Sequence, residues 1–430
     1  MGSLPGILLL IVALLVSVGI HELGHLIPAK KFGVKVSQYF IGFGPTVWST
    51  TRGGTEYGLK AIPLGGYVQM AGMLAPAKAG VRTHKNGQIT LAEEARRASA
   101  QDLKPGEEHQ AFWRLPARKK LIIMFGGPIT NLILAGLLIG FVMSGVGLPT
   151  LTNQIGAITP CVGQVEVCDA DHPPSPAALS DLELGDTILS WGNTPTSNWL
   201  ELSDAIVDGG TGPVTVLVER GGKQTEVIIQ PIPVERPVIA DGQIVVDDVG
   251  EPIVREVPYA GISPSSERER QPLTAVPGQT WDFTVATGNV LVSLPAHLWN
   301  TAADLVTGTE RDATGVVGIV GIADIAGSIT STQSDNYGTL DRIADLSLLV
   351  AGLNMSLFMF NMVPLLPLDG GHILGAIIEG ARRTIAKAQG KPDPGAFDTA
   401  RLLPLSYLVF TALIAMTLLL VIADIVNPVI

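Results

Sequence analysis

Charge is scarce in this chain, and so are cysteine and aromatic side chains. Of 430 residues only 16% are charged, 5% are aromatic and two are cysteine, against 47% hydrophobic. With a mean hydropathy of +0.37 this is a membrane composition, with room for two or three domains. A net charge of −11 argues against a nucleic-acid partner. No Lys or Arg precedes the first apolar run and no small-residue cleavage site follows it, so that run reads as an uncleaved span and not as a signal peptide. No internal repeat or low-complexity tract stands out.

The basic residues that do occur are unevenly placed. Residues 28–120 hold 15 Lys and Arg against 6 Asp and Glu, whereas residues 146–342 hold 8 against 26. Basic loops stay in the cytoplasm, which puts the first loop inside and the acidic middle outside. Cys161 and Cys168 both fall in the segment assigned outside, where a disulfide closing the short loop between them is one reading and two unpaired thiols the other.

From Leu4 to Ile20 there is no charged residue, and the apolar run resumes at Leu26 and Ile27, long enough to cross a bilayer. Inside that run stands His21-Glu22-Leu23-Gly24-His25. Residues four apart share one helical face, so His21 and His25 can bind one metal ion while Glu22 points toward its open position, the H-E-x-x-H arrangement of a zinc hydrolase. Ionisable groups at membrane depth cost about 2.5–3.5 kcal/mol each, so they rarely sit there without a function.

Further along, alternating stretches from Val34 to Phe43 and from Thr55 to Met70, punctuated by glycine pairs, predict a small β-hairpin or sheet. It either dips into the membrane beside the site, where an exposed edge could hold a substrate in extended form, or lies solvated in the cytoplasm. Residues 75–118 read as a polar loop with a helical piece. A second span starts after Arg118, Lys119 and Lys120, and its Gly126-Gly127 permits close helix approach while Asn131 is read as a helix–helix hydrogen-bonding residue. Ser175 to Leu179 and Leu184 to Trp191 resemble the core of a PDZ domain, a module that binds a peptide as an added strand. Residues 281–330 carry amphipathic patterns suited to an interfacial layer.

A third span ends in Asn361-Met362-Val363-Pro364-Leu365-Leu366-Pro367-Leu368-Asp369-Gly370-Gly371-His372. A catalytic zinc takes three protein ligands and keeps a place for water. Asp369 is the preferred third ligand because its span returns the chain to the side where the histidines lie, with His372 and Glu379 as competitors. Pro364 and Pro367 free backbone groups, and Asn361 could hold a substrate backbone, stabilise an oxyanion or bond to a neighbouring helix.

Taken together, the first-span HELGH, Gly42-Phe43-Gly44-Pro45, Ile62-Pro63-Leu64-Gly65-Gly66-Tyr67-Val68, the Gly-Pro-x-x-Asn run ending at Asn131 and the Leu-Asp-Gly at 368–370 resemble the site-2 protease family of intramembrane zinc metalloproteases. The resemblance covers about residues 4–426. It implies one zinc held by His21, His25 and Asp369, with Glu22 as the catalytic base. Substrate contacts are expected at Gly65, Gly66, Asn361 and Pro364, and the resemblance implies cleavage of single-span membrane proteins, commonly anti-sigma factors already cut outside. The expected fold is a multi-pass α-helical membrane protein of four transmembrane helices, with a membrane-re-entrant β-hairpin and an inserted extracytoplasmic PDZ-like α+β domain. Its expected segments are the first transmembrane helix at 1–30, the hairpin and polar loop at 31–118 and a second helix at 119–147. The PDZ-like domain follows at 148–235, an extension with interfacial helices at 236–342, a third helix at 343–380, a loop at 381–403 and a fourth helix at 404–430. The expected home is a bacterial inner membrane, with the site toward the cytoplasm.

Overall fold

The computed structural model describes residues 4–428 except 78–82, 86–87, 164–167, 170–171, 238, 241–242, 245–252, 310, 312–314 and 333–336, so parts of the polar loop and of the acidic extension lie outside the described residues. The chain divides into two compact units, one formed by residues 1–146 and 272–430 and the other by residues 147–271.

Among the described residues of the first unit four helices are long and apolar enough to cross a membrane: Leu4–Lys31, Ala117–Val146, Thr339–Met362 and Thr399–Val426. The first is α1, Leu4–Lys31, whose last turn holds Lys30 and Lys31, favourable at a helix C-terminus. α2 is the short Leu91–Ala100 of the polar loop, and α3 is Ala117–Gly140. α1 and α3 cross at bare backbone: a Cβ on Gly24 would stand 2.3 Å from the Gly126 carbonyl oxygen, and one on Gly126 would stand 1.9 Å from that of Gly24. Only glycine at both positions permits this approach.

A sheet follows α1. Its strands are β1, Val36–Arg52, and β2, Thr55–Met70, joined at Gly53-Gly54, whose φ of 58° and 76° is open to glycine without strain. Both strands fold back on themselves. Gln38 to Ile41 face Glu56 to Leu59 on one side and Gln69 to Gly66 on the other, while Thr46 to Arg52 pair with Lys60 to Thr55. The segment 66–70 is thus an edge, with no further strand beside it among the described residues. An apolar cluster of Leu26, Ala29, Val34, Val36, Met70, Phe112, Ile123, Met124 and Ile373 packs α1, the sheet and α3 against α8, Asp369–Ala388.

The second unit is built on a sheet. β3 is Leu148–Ile158, β4 Thr187–Trp191, β5 Val214–Arg220, β6 Lys223–Ile229, β7 Ile232–Pro237, β8 Val254–Tyr259 and β9 Ile262–Glu269, with α4, Trp199–Asp208, packed on one face. The sheet order is β9-β3-β4-β5-β6, and β7 pairs with β8 separately. Ile155, Ile188, Trp191, Leu202, Val216, Val218, Val227 and Ile229 fill the core. The boundary expected at residue 235 is therefore corrected: residues 262–269, placed in an extension outside the domain, supply its edge strand because Ile262 to Glu269 pair along β3 from Ile158 to Leu148. Asp186, buried after a glycine turn, receives Arg220 Nε and Nη2, both at 2.7 Å. Cys161 and Cys168 are joined in a disulfide.

Back in the first unit, α5 is a single helix of 32 residues, Val276–Thr307, packed along α3, α7 (Thr339–Met362) and α9 (Leu403–Val426). α6, Ile319–Ser331, packs on α1, α7 and α9.

Candidate metal centre

His21 and His25 lie one helical turn apart on the face of α1 turned toward α3, and both are buried. Asp369 reaches them as the first residue of α8. Gly370 and Gly371 explain how: a Cβ on the first would stand 2.1 Å from the Val363 carbonyl oxygen and on the second 2.6 Å from Leu366 N. Without side chains there, residues 363–366 fold tightly against the first turn of α8 and bring the carboxylate round.

The three donor atoms form a nearly equilateral triangle. His21 Nε2 and His25 Nε2 are 3.3 Å apart, Asp369 Oδ2 is 3.3 Å from the former and 3.2 Å from the latter. Zinc bonds of about 2.0–2.1 Å in tetrahedral geometry place donors about 3.3 Å apart, so the spacing fits that ion. The outer ring nitrogens fit too. His25 Nδ1 donates to the Ile123 carbonyl oxygen at 2.8 Å, which leaves the Nε2 lone pair free for a metal. His21 Nδ1 meets the Asn131 amide at 3.2 Å, and Asn131 Oδ1, buried, has no other partner among the described residues. A half-turn of that amide makes Oδ1 the acceptor for His21 Nδ1–H and fixes the same tautomer.

Room for an ion comes from α3. A Cβ on Gly127 would stand 2.2 Å from His25 Nε2 and 2.8 Å from His21 Nε2, filling the space onto which the donors converge. Gly127 and Asn131 are four residues apart, as His21 and His25 are, so two helices present matching faces to the site.

Beside the triangle opens a cavity of about 400 Å³ whose wall includes Glu22, Gly65, Gly66, Tyr67, Asn361 and His372. The structure thus gathers His21, Glu22, His25, Gly65, Gly66, Asn361 and Asp369 around one space. Pro364 is the exception: it is exposed and outside the wall, because the turn after α7 points it away, and Pro367 takes the wall position instead. Glu379, weighed as a ligand, is bound instead to Lys120 Nζ at 2.7 Å. The helix–helix hydrogen bond considered for Asn361 is made one level up by Asn354, whose amide donates to Ser17 Oγ at 2.9 Å.

The site's chemistry is matched by its relatives. Residues 9–392 match the model of peptidase family M50. The chain belongs to that family, the site-2 proteases. This M50 peptidase is 32% identical to zinc metalloprotease Rip1 of Mycobacterium tuberculosis, over 99% of this chain and 98% of that one. It is 32% identical to Rip1 of Mycolicibacterium smegmatis over 98% of both. It is 27% identical to metalloprotease MmpA of Caulobacter vibrioides over 95% of both. The M50 peptidase is a zinc metalloendopeptidase and a membrane protein.

Sequence reasoning missed Gly127 and gave Asn131 to helix packing. Their signal was the spacing itself: a small and a polar residue four apart, in the helix that follows a metal motif.

Proposed function

We propose that this M50 peptidase hydrolyses a peptide bond within the membrane segment of single-span proteins, anti-sigma factors already trimmed outside being the substrate class. What supports the reading most is one juxtaposition: the donor triangle of His21, His25 and Asp369 faces the free edge 66–70 across a single cavity. Zinc held by these three residues would supply a Lewis acid that lowers the pKa of water toward neutrality and polarises the scissile carbonyl.

The chain's own residues do the rest. Glu22 takes the proton of the attacking water and delivers it to the leaving amine. A helical substrate hides its carbonyls in intrahelical bonds and must unwind to be cut. Edge 66–70 offers replacement hydrogen bonds to the unwound stretch, added as one more strand. Gly66 keeps that strand close to the base, since a Cβ there would stand 3.1 Å from Glu22 Cγ and 2.8 Å from Val18 Cγ1. Asn361, across the cavity, presents its amide to the substrate backbone or the developing oxyanion.

The sheet is the membrane-re-entrant element, a placement favoured by its exposed Phe43, Val47, Trp48 and Ile62. The reading of a site toward the cytoplasm and of residues 147–271 outside is supported by the charge asymmetry of the sequence and by the disulfide, which suits an oxidising compartment. There the PDZ-like unit filters substrates by size or by a newly exposed end.

The test is cleavage of a reconstituted single-span substrate in detergent. Glu22→Gln and Asp369→Asn are each expected to abolish it, with zinc retained in the first and depleted in the second. Undiminished turnover by either variant would refute the assignment.

A further inference from the structure

The polar loop before α3 has a definite place in the first unit. Its helix α2 starts at Thr90, whose hydroxyl accepts from Glu93 N, and it buries one residue, Arg96. A single nitrogen of that side chain, Nη2, lies 2.9 and 2.8 Å from the two carboxylate oxygens of Asp398. Arg96 is 4% exposed and Asp398 8%, so the pair is held out of water, where removing one partner is far costlier than at a surface. Asp398 belongs to the connection between α8 and α9, and that connection is pressed onto α8. Phe397 N donates to Glu379 Oε2 at 3.0 Å, and the Thr399 methyl occupies the place where a Cβ on Gly375 would go. α8 begins with Asp369.

At its other end the same segment is sewn to the sheet. Gly72 N donates to the Ser99 carbonyl at 2.6 Å, Phe112 N to that of Ala71 at 3.0 Å and Trp113 N to that of Gly72 at 2.9 Å. Asp102 Oδ2 accepts from Ser37 Oγ at 2.6 Å and from Gln69 Nε2 at 2.7 Å, and Gln69 is part of edge 66–70. Phe112 is buried in the apolar cluster that also contains Met70 from the edge and Ile373 from α8. A series of contacts, buried at Arg96, Asp398 and Phe112, therefore runs from the third donor of the metal centre, through α8, Asp398 and Arg96, to the strand on the far side of the cavity.

We propose that residues 91–113 act as a spacer that fixes edge 66–70 relative to Asp369 and thereby selects which peptide bond is cut, with Arg96 as its positioning residue. This rests on the reading that edge 66–70 holds the substrate. A peptide paired with a strand advances about 3.4 Å per residue, so a slip of that size along the edge brings the neighbouring bond to the metal. Loosening the spacer is read as a change of cleavage site as well as of rate.

The experiment uses the full chain in detergent with a single-span substrate, measuring bound zinc, kcat, KM and product masses. Arg96→Met is expected to keep its zinc, to lose roughly ten-fold or more in kcat with a smaller change in KM, and to cut at neighbouring bonds as well, since a 1 Å misplacement can cost about 100-fold. Arg96→Lys is expected to restore rate and site, because one nitrogen makes both contacts. Asp102→Asn, at the other end of the spacer, should broaden the products in the same way. Gly66→Ala is the control for the underlying reading and should impair turnover by pushing the edge off Val18 and Glu22. If Gly66→Ala is impaired while Arg96→Met cuts the wild-type bond at the wild-type rate, the spacer is refuted and the substrate edge stands. If Gly66→Ala turns over normally, the edge reading fails and the spacer with it. If Arg96→Met loses zinc and helical content together with turnover, Arg96 is a folding contact and the proposal is overturned.

Discussion

Adding one methyl group at Gly127 tests the metal centre without touching any donor. In Gly127→Ala the new carbon would lie 2.2 Å from His25 Nε2 and 2.8 Å from His21 Nε2 and from His21 Cε1. Ordinary contact begins at about 3.5 Å, so the imidazoles must retreat by roughly 1 Å or α3 must back away from α1. The second escape would give up the close packing of α1 on α3 at Gly24 and Gly126 one residue earlier. A zinc site tolerates donor displacements of about 0.2 Å, and changes merely behind a ligand already cost about 10–100-fold in affinity or activity. Gly127→Ala is therefore expected to lower zinc affinity by at least about 100-fold and to abolish peptide cleavage, while helical content in detergent stays at the wild-type level. The assay is metal content by atomic emission after dialysis against a graded zinc buffer, with circular dichroism on the same sample. One zinc per chain and normal turnover in Gly127→Ala would show that the ion does not sit where the donors converge.

Other expectations follow from neighbouring contacts. Asn131→Ala removes the partner of His21 Nδ1, and competition with a chelator should show zinc held about 10–100-fold more weakly; unchanged affinity would mean that the amide does not orient the ring. Lys120→Met leaves the buried Glu379 carboxylate with Arg383 and the Phe397 amide, and a loss toward the lower end of about 3–5 kcal/mol is expected in thermal unfolding in detergent. A loss below about 1 kcal/mol would mean that Arg383 compensates fully. Burial pushes the Asp186 carboxyl up, but hydrogen bonds from Arg220 and from the Glu183 amide outweigh it and hold it below the ordinary carboxylate value. A depressed folded value means that the pairing stabilises residues 147–271 above the unfolded value of about 4 and is lost as pH falls through the lower folded one. Hydrogen exchange at β4 and β5 in the full chain should quicken on acidification below about pH 4, and Asp186→Asn should flatten that response; identical profiles would refute the linkage.

Much of this architecture is legible in the residues alone. Uncharged runs announce α1, α3, α7 and α9, and a 3.6-residue repeat places His21 with His25. Asp369 follows from the charge-derived topology. What the residues do not disclose depends on tertiary contact. β-type alternation at 34–43 and 55–70 signals strands but not that each folds back to pair twice, because pairing partners are chosen by register and not by composition. The edge strand 262–269 is hidden by its polar sequence, Ser-Pro-Ser-Ser-Glu-Arg-Glu after Ile262, which suits an exposed edge as well as a linker. Arg96 reads as one more basic residue of a solvated helix, and its burial is decided by an aspartate 302 positions away. Pro364 and Pro367 look equivalent in sequence, and only the turn between α7 and α8 tells which one meets the cavity.

The touching backbones of Gly24 and Gly126 carry a consequence for how the enzyme is loaded. They weld α1 to α3, so that two imidazoles, the carbonyl and the amide behind them, and the hollow left by Gly127 travel as one prebuilt half-socket. The remaining donor arrives on a different helix, moored by the ion pair of its Glu379 with Lys120 and, through the connection that follows it, by that of Asp398 with Arg96. Two of the three convergent donors therefore share one closely packed pair of helices, and the position of the third depends on how firmly α8 is tethered.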